Sequence, residues 1–229
     1  RDLHLSLRRQ RQMCIRDSLP MFGIGGLTGL PLGLAASDIY LHDTYYVIGH
    51  FHYVVAPGTI FALFAGIYYW FPKMTGKKMN EMLGKLHFWP SLVFMNGIFM
   101  PMFIQGLAGV SRRLADGGVS YAHASGVLEW NEFMSMSAFF LGLAQIPFII
   151  NIVMSLFAGE KASRNPWDST TIEWSAPSPP VGHGNFDKPV NVYHSAYEYS
   201  VPDSKKDFTP QNEPASEGVP VGRDHKGNK

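Results

Sequence analysis

Four long runs of the sequence contain no Asp, Glu, Lys or Arg, and they constrain the fold more than any other feature. The runs cover residues 18–37, 44–72, 86–111 and 133–159 and are 20 to 29 residues long. About 20 apolar residues are enough to cross a bilayer as an α-helix. Buried helices of a large soluble domain are the alternative, but such domains rarely contain four such runs in succession. We therefore predict an all-α membrane protein with four transmembrane helices within residues 19–160.

The polar residues concentrate at the two ends of the chain. Residues 161–229 are polar and Pro-rich, and we expect an irregular, extended or disordered tail. Residues 1–18 form a basic segment with five arginines. Within it, QMCIRDS resembles translated sequencing adapter, so the segment is either non-native or a genuine basic cytoplasmic segment. The single cysteine, Cys14, excludes an internal disulfide.

Loop charge predicts the orientation of the spans. The loop at residues 73–85 carries four lysines and one glutamate, whereas residues 37–43 carry two aspartates and no basic residue. The positive-inside rule places residues 73–85 and the tail in the cytoplasm, and residues 37–43 and 112–132 outside. The adjacent Arg112 and Arg113 are the exception to this rule.

Two histidines lie inside the second charge-free run, in the sequence GHFHY. In an α-helix, residues two apart point about 200° away from each other, so His50 and His52 cannot share one metal ion. Ionisable groups within a membrane are costly and usually functional. A single imidazole on a helix suits haem iron, and zinc would need three or four converging ligands. The alternative is a pair of hydrogen-bonded core histidines.

Helix depth relates these histidines to the basic pair. If the helix starts near Thr44, His50 lies about 10 Å below the outer surface. A haem bound there could extend its propionates to that surface, where Arg112 and Arg113 would bind them. Interfacial snorkelling of the two arginines is the alternative.

The preceding pair, His42 and Asp43, is predicted to lie at the outer surface. Asp43 with Thr44 could cap the following helix. An imidazole next to a carboxylate could equally form half of a hydrated divalent-metal site completed by another chain. The sequence leaves these two interpretations open.

Several motifs together resemble subunit I of the haem–copper terminal oxidases, of the cytochrome c oxidase type. They are GGLTGLPLG, SDIYLHDTYYVIGHFHYVV, GVSRRLAD and NPWDSTTIEW, and the resemblance covers about residues 21–180. It implies that His50 is the axial ligand of the high-spin, oxygen-binding haem and that His52 is one axial ligand of the low-spin haem. It further implies that Arg112 and Arg113 bind haem propionates and that Asp38 lies near one.

The same resemblance assigns His42 and Asp43 to a magnesium site near the interface with subunit II. It implies two haems, of the a type, and copper in the complete subunit. Members of the family have twelve core helices, of which this chain would contain the last four. The copper ligands and the second ligand of the low-spin haem would then lie on helices outside this chain, so we do not expect the chain alone to be active.

The function implied is the reduction of oxygen to water with electrons from cytochrome c, coupled to proton translocation. The expected location is the cell (inner) membrane, as a multi-pass protein associated with oxidase subunits II and III and with no nucleic-acid partner. A quinol oxidase is the alternative within the same class. A membrane haem protein that only transfers electrons, and a transporter that uses the histidine pair for protons, are alternatives from other classes.

Overall fold

The structure, a computed structural model, describes residues 20–182, 184–186, 188–195 and 209–214. The basic segment 1–18 with Cys14, and the loop or terminal histidines His4, His183 and His225, lie outside the described residues. Regular secondary structure in the described part is entirely helical, which confirms the predicted all-α class.

The helices follow one another with short connections. The α-helices are α1 (Pro20–Gly33), α2 (Ala35–Leu41), α3 (Tyr45–Val55), α4 (Ala62–Thr75), α5 (Glu81–Leu107), α6 (Trp130–Leu143) and α7 (Ile146–Ala158). A π-helical turn, Ala56–Phe61, joins α3 to α4, and 3-10 helices cover Ala122–Val127 and Ile172–Ser175.

Three helical segments are long and apolar enough to cross a membrane: Tyr45–Thr75, Glu81–Leu107 and Trp130–Ala158. The first predicted span differs, because α1 and α2 meet at an angle of 103°. Leu34, between them, has an extended backbone with φ −102° and ψ 115°, which interrupts the helix after Gly33. By length and composition, the described part of the chain therefore has three candidate spans, or up to four if the bent pair counts as one.

Prolines shift the predicted helix boundaries. Pro57 has no N–H to donate, and the helix accommodates it with the π-helical turn rather than ending. The second charge-free run ends at Pro72, but this proline lies inside α4, which continues to Thr75. The helix of the third charge-free run begins before that run, at Glu81, because the Asn80 side chain caps it by accepting from the Leu83 N–H at 3.1 Å.

The described residues fall into two compact units. Residues 20–69 and 79–158 form the helical unit. Its core is an apolar cluster on α1, α2, α3 and α5 made of Met21, Leu41, Tyr46, Tyr53, Met95 and Phe103. The close packing of α3 on α5 depends on Gly106, since a Cβ there would lie 2.1 Å from the Tyr46 nitrogen.

The second unit, residues 70–78 with the described residues from 159 onward, contains a buried lysine. Lys73 donates to the carbonyl oxygens of Arg164 at 3.0 Å and Trp174 at 3.1 Å, and also to that of Ala176. The Trp70 and Trp174 rings stack 4.9 Å apart. The start of the tail is therefore irregular in secondary structure but packed, which its composition did not indicate.

Candidate functional site

The helix that carries His50 and His52 begins at a defined N-cap. The Thr44 hydroxyl accepts from the Tyr46 N–H at 3.3 Å and donates to the Leu41 carbonyl at 2.6 Å. The sequence predicted a cap at Asp43 or Thr44, and the structure gives that role to Thr44. The cap fixes where α3 starts, and hence where both histidines lie along it.

His50 faces α1. Its Nδ1 lies 2.8 Å from the carbonyl oxygen of Gly25 and 3.2 Å from Oγ1 of Thr28. Because the carbonyl oxygen can only accept, Nδ1 carries the hydrogen. The neutral ring then has an unprotonated Nε2 with a free lone pair.

His52 faces α5. Its Nδ1 donates to the carbonyl oxygen of Ile48, one turn earlier, at 2.8 Å. Its ring stacks on Phe99 of α5, with 4.4 Å between centroids and 13° between planes. The ring of Phe51 lies 4.3 Å away, and Phe51 itself is 41% exposed.

The two imidazoles share the arrangement of metal-ligating histidines. In such ligands the second ring nitrogen typically donates to a carbonyl or carboxylate, which fixes the ring orientation and the tautomer. No described residue hydrogen-bonds to Nε2 of His50 or His52, and both residues are partly exposed. The two rings contact different helices, so the pair does not form one metal site.

Asp43 and Arg112 connect the start of α3 to the segment that follows α5. Nε and Nη2 of Arg112 lie 2.7 Å and 2.6 Å from Oδ1 of Asp43. The Arg112 N–H donates to the Asp43 carbonyl at 2.8 Å, and the Tyr45 N–H donates to that of Val110 at 3.0 Å. Asp43 has a left-handed backbone, with φ 57°, which turns its side chain and its carbonyl toward the same partner.

This contact sets the protonation of Asp43. The hydrogen bond from Arg112 lowers the pKa of the Asp43 carboxyl below its ordinary value of 3.8, and the charges of Arg112, His42 and Arg113 act in the same direction. Desolvation opposes the shift. Asp43 is therefore a carboxylate at neutral pH.

The remaining predicted residues lie close to this contact. Nε2 of His42 is 3.3 Å from Oδ2 of Asp43, so these two side chains are adjacent and exposed. Arg113 is exposed and has a left-handed backbone, with φ 67°. Asp38 is in the first turn of α2, and its carbonyl accepts from the His42 N–H at 2.7 Å.

His87, in the same unit, is a core histidine with a hydrogen-bond partner on each ring nitrogen. It is buried, with Nε2 3.0 Å from Oε1 of Gln145 and Nδ1 3.3 Å from the Tyr68 hydroxyl. Its ring stacks on Phe148 with 4.8 Å between centroids. Both nitrogens are occupied, in contrast to His50 and His52.

The structure adds residues that sequence reasoning missed. Gly25, Thr28 and Phe99 hold the two candidate ligands, and only the spacing of small residues in GGLTG hinted at close packing. No group of three or more His, Cys, Asp or Glu side chains in the described part of the chain could hold a metal ion.

The sequence matches the family model described as "Cytochrome C and Quinol oxidase polypeptide I" over residues 11–164, which is about two thirds of the chain. The chain belongs to this family. The match covers α1 to α7 and therefore both histidines of α3, the Arg pair and Asp38. It begins within the basic segment 1–18 and ends just inside the polar tail.

Relatives of this oxidase polypeptide I chain carry names of the same kind. An "Alternative cytochrome c oxidase subunit 1" from Bradyrhizobium diazoefficiens is 44% identical over 199 residues, which are 86% of this chain and 34% of the relative. A "Cytochrome c oxidase subunit 1" from Synechocystis sp. is 45% identical over 183 residues, 80% of this chain and 32% of the relative. The chain thus spans about a third of the length of these relatives.

A solved structure supports the oxidase fold. A haem–copper terminal oxidase dimer, determined by cryo-electron microscopy, superposes with a TM-score of 0.57 at 20% identity, covering 69% of this chain and 28% of that chain. This likeness, together with the candidate spans, identifies the chain as a membrane protein with the helical fold of a terminal oxidase polypeptide.

Proposed function

We propose that this chain is the C-terminal part of the catalytic subunit of a respiratory terminal oxidase. The complete enzyme would reduce oxygen to water with electrons from cytochrome c, coupled to proton translocation. The observation that carries this proposal is the pair His50 and His52 on α3. Each ring is oriented by a carbonyl on Nδ1, each has a free Nε2, and each contacts a different neighbouring helix.

The proposal assigns a role to each candidate residue. His50 would bind the high-spin, oxygen-binding haem and would therefore be the catalytic residue, and His52 would be one of the ligands that hold the low-spin haem. Arg112, Arg113 and Asp38 lie at the haem propionates. His42 and Asp43 contribute to a magnesium site at the interface with subunit II, where their side chains are adjacent and exposed.

When bound, two haems of the a type and a copper ion would supply the electron transfer and the oxygen chemistry. The residues of this chain supply orientation. The carbonyl oxygens of Gly25 and Ile48 hold the imidazoles in the tautomer that presents Nε2. The Arg112–Asp43 contact keeps a carboxylate and a guanidinium at the start of α3. The copper ligands and the second ligand for the low-spin haem come from outside this chain.

The setting proposed is a cell membrane, with the tail from residue 161 in the cytoplasm and with oxidase subunits II and III as partners. Loop charge supports this orientation, since residues 73–85 carry four lysines. The chain alone, about a third of the length of its relatives, is not expected to be active.

The family description names both cytochrome c and quinol oxidases, and this favours quinol as the second candidate donor. Assay of the purified complex with reduced cytochrome c and with a quinol separates the two. A protein that only transfers electrons, the other alternative, would consume no oxygen with either donor.

The decisive experiment substitutes each histidine in the complete subunit assembled with its partner subunits. His50→Ala should abolish carbon monoxide and oxygen binding at the high-spin haem and preserve the low-spin absorption band. His52→Ala should abolish the low-spin absorption band and preserve carbon monoxide and oxygen binding at the high-spin haem. His87→Ala is the matched control, because it removes a buried imidazole with both nitrogens occupied.

The control should lower stability by about 1–3 kcal/mol, as its partners lose a hydrogen bond, and should leave both haem spectra unchanged. Equal loss of both haem signals in His50→Ala, with both retained in the His87 variant, would show that His50 serves folding and is not a specific ligand.

A further inference from the structure

We propose that Gly29 is a positioning residue for His50: its missing side chain leaves the space in which the imidazole ring lies and so sets the direction of Nε2. The inference rests on the proposed function, because it concerns the bond between that nitrogen and the high-spin haem. It arises from the packing of α1 against α3.

The contact is with the ring itself. A Cβ on Gly29 would lie 2.7 Å from Cε1 of His50, 3.2 Å from Nε2 and 3.5 Å from Nδ1. Contacts under about 3 Å between carbon atoms fall well inside the van der Waals optimum of about 3.5–4.0 Å. Cε1 is bonded to both ring nitrogens, so a displacement of this atom moves Nε2 as well.

The ring is also held along its other edge. Gly25 lies one turn before Gly29, on the same face of α1. Its carbonyl oxygen accepts from Nδ1 of His50 at 2.8 Å. The Thr28 hydroxyl lies 3.2 Å from the same Nδ1. It is also 2.8 Å from the Ile24 carbonyl oxygen, to which it can donate. One face of α1 therefore holds the ring by a hydrogen bond to Nδ1 and leaves room for Cε1 at Gly29.

The helices cannot easily separate to make room for a side chain. A Cβ on Gly25 would lie 3.1 Å from the Tyr53 carbonyl carbon and 3.1 Å from the Val54 nitrogen, so the backbones of α1 and α3 are already close there. A methyl group on Gly29 must then rotate the imidazole about its Cβ–Cγ bond or tilt it, and either movement weakens the bond to Gly25.

The experiment compares Gly29→Ala with Gly26→Ala in the complete, haem-loaded subunit. Both variants make the same change in α1, but a Cβ on Gly26 has no described atom within 4 Å. We expect Gly29→Ala to shift or broaden the iron–histidine stretching band of the reduced high-spin haem in resonance Raman spectra, and Gly26→Ala to keep the wild-type band. The low-spin haem should be unchanged in both, because Ile48 and Phe99 hold His52.

A second pair of variants covers the case in which Gly29→Ala fails to fold. His50→Gly removes the ring that the new methyl group would meet, and added imidazole can replace it as a ligand. We expect imidazole to restore the high-spin haem band in His50→Gly, and to bind about tenfold or more weakly in His50→Gly/Gly29→Ala, in line with the usual effect of changing residues that orient a metal ligand.

A wild-type iron–histidine band in Gly29→Ala, or equal imidazole affinity in the two His50→Gly backgrounds, would overturn the role of Gly29. Failure of the proposed function is a different result. In that case the unsubstituted protein would contain no haem, or His50→Ala would retain the iron–histidine band.

Discussion

At the scale of single residues, surroundings decide what an imidazole can do. His87 and His50 both lie on apolar helices, yet His87 has a partner on each ring nitrogen and is buried. His50 has a carbonyl on Nδ1, a free Nε2 and partial exposure. The first arrangement stabilises the helical unit, and the second leaves a lone pair for a metal.

Asp43 gives a prediction about acid stability. Because its folded-state pKa is lowered, Asp43 stabilises the fold fully above its ordinary pKa of 3.8, and this contribution is lost as the pH falls through the folded-state value. Asp43→Asn should therefore be less stable than the wild type at neutral pH, and the difference should shrink on acidification below about pH 4. Thermal unfolding of the complete subunit in detergent, measured against pH, tests this.

Arg112, which contacts Asp43, provides the control for this prediction. Arg112→Gln should produce a similar loss at neutral pH, and the double variant should lose less than the sum of the two single losses, as expected for residues in direct contact. Additive losses would show that the 2.6 Å contact between them contributes nothing to stability.

At the scale of elements, the position of α3 depends on its contacts with α1 and α5. The Thr44 cap fixes its start, and Gly106 lets the first turn of α3 contact the end of α5. On the other side, Gly25 and Gly29 let α1 approach the turn that carries His50. Small residues on neighbouring helices thus allow the close packing that positions the helix of the candidate ligands.

We predict that Gly106→Ala destabilises the complete subunit by about 1–3 kcal/mol or more, the usual cost of forcing extra volume into a packed interior. The new Cβ would overlap the Tyr46 backbone, which cannot move like a flexible side chain. Unfolding in detergent measures the effect. Gly66→Ala in α4 is the matched control, because a Cβ there meets no described atom within 4 Å. Equal stability of the two variants would contradict the close approach.

At the scale of the whole molecule, the exposed apolar surface of the helices indicates the environment that surrounds them. In the most apolar windows of the three spans, only 11%, 33% and 22% of residues are buried within the described chain. Water would make such surfaces costly, whereas lipid or further helices of a membrane protein would not. The second unit, by contrast, is held by polar contacts around Lys73.

Lys73 gives a prediction for that unit. Lys73→Met keeps the length of the side chain but leaves the buried carbonyl oxygens of Trp174 and Ala176 without this donor, at a cost of about 1–3 kcal/mol for each. The Arg164 carbonyl keeps the Ser178 hydroxyl as a donor. The population of the locally open state should increase about tenfold for each 1.4 kcal/mol of stability lost, so proteolysis within residues 160–180 should accelerate by the same factor.

Lys85→Met is the matched control, because Lys85 is exposed and forms an i,i+4 ion pair with Glu81. It should be cleaved within residues 160–180 at the wild-type rate. The same rate in Lys73→Met would show that the carbonyl contacts do not hold the start of the tail.

The sequence by itself determined the features that depend on neighbours along the chain. Charge-free runs predicted the helical membrane class, and the helical repeat predicted that His50 and His52 face different directions. The bend between α1 and α2, and the continuation of α4 past Pro72, were not predicted. A proline or glycine in such a run can end a helix, bend it or lie within it, and packing selects the outcome.

Only the tertiary structure decided which atoms meet. Arg112 contacts Asp43 across 69 positions of sequence, His50 contacts Gly25 across 25, and Lys73 reaches carbonyls about 100 residues away. A charge count treats Lys73 as a free cation of a loop, whereas the fold buries it. The physical reason is that hydrogen bonds and close contacts act over a few ångströms, so partners distant in the sequence become neighbours only when the helices pack.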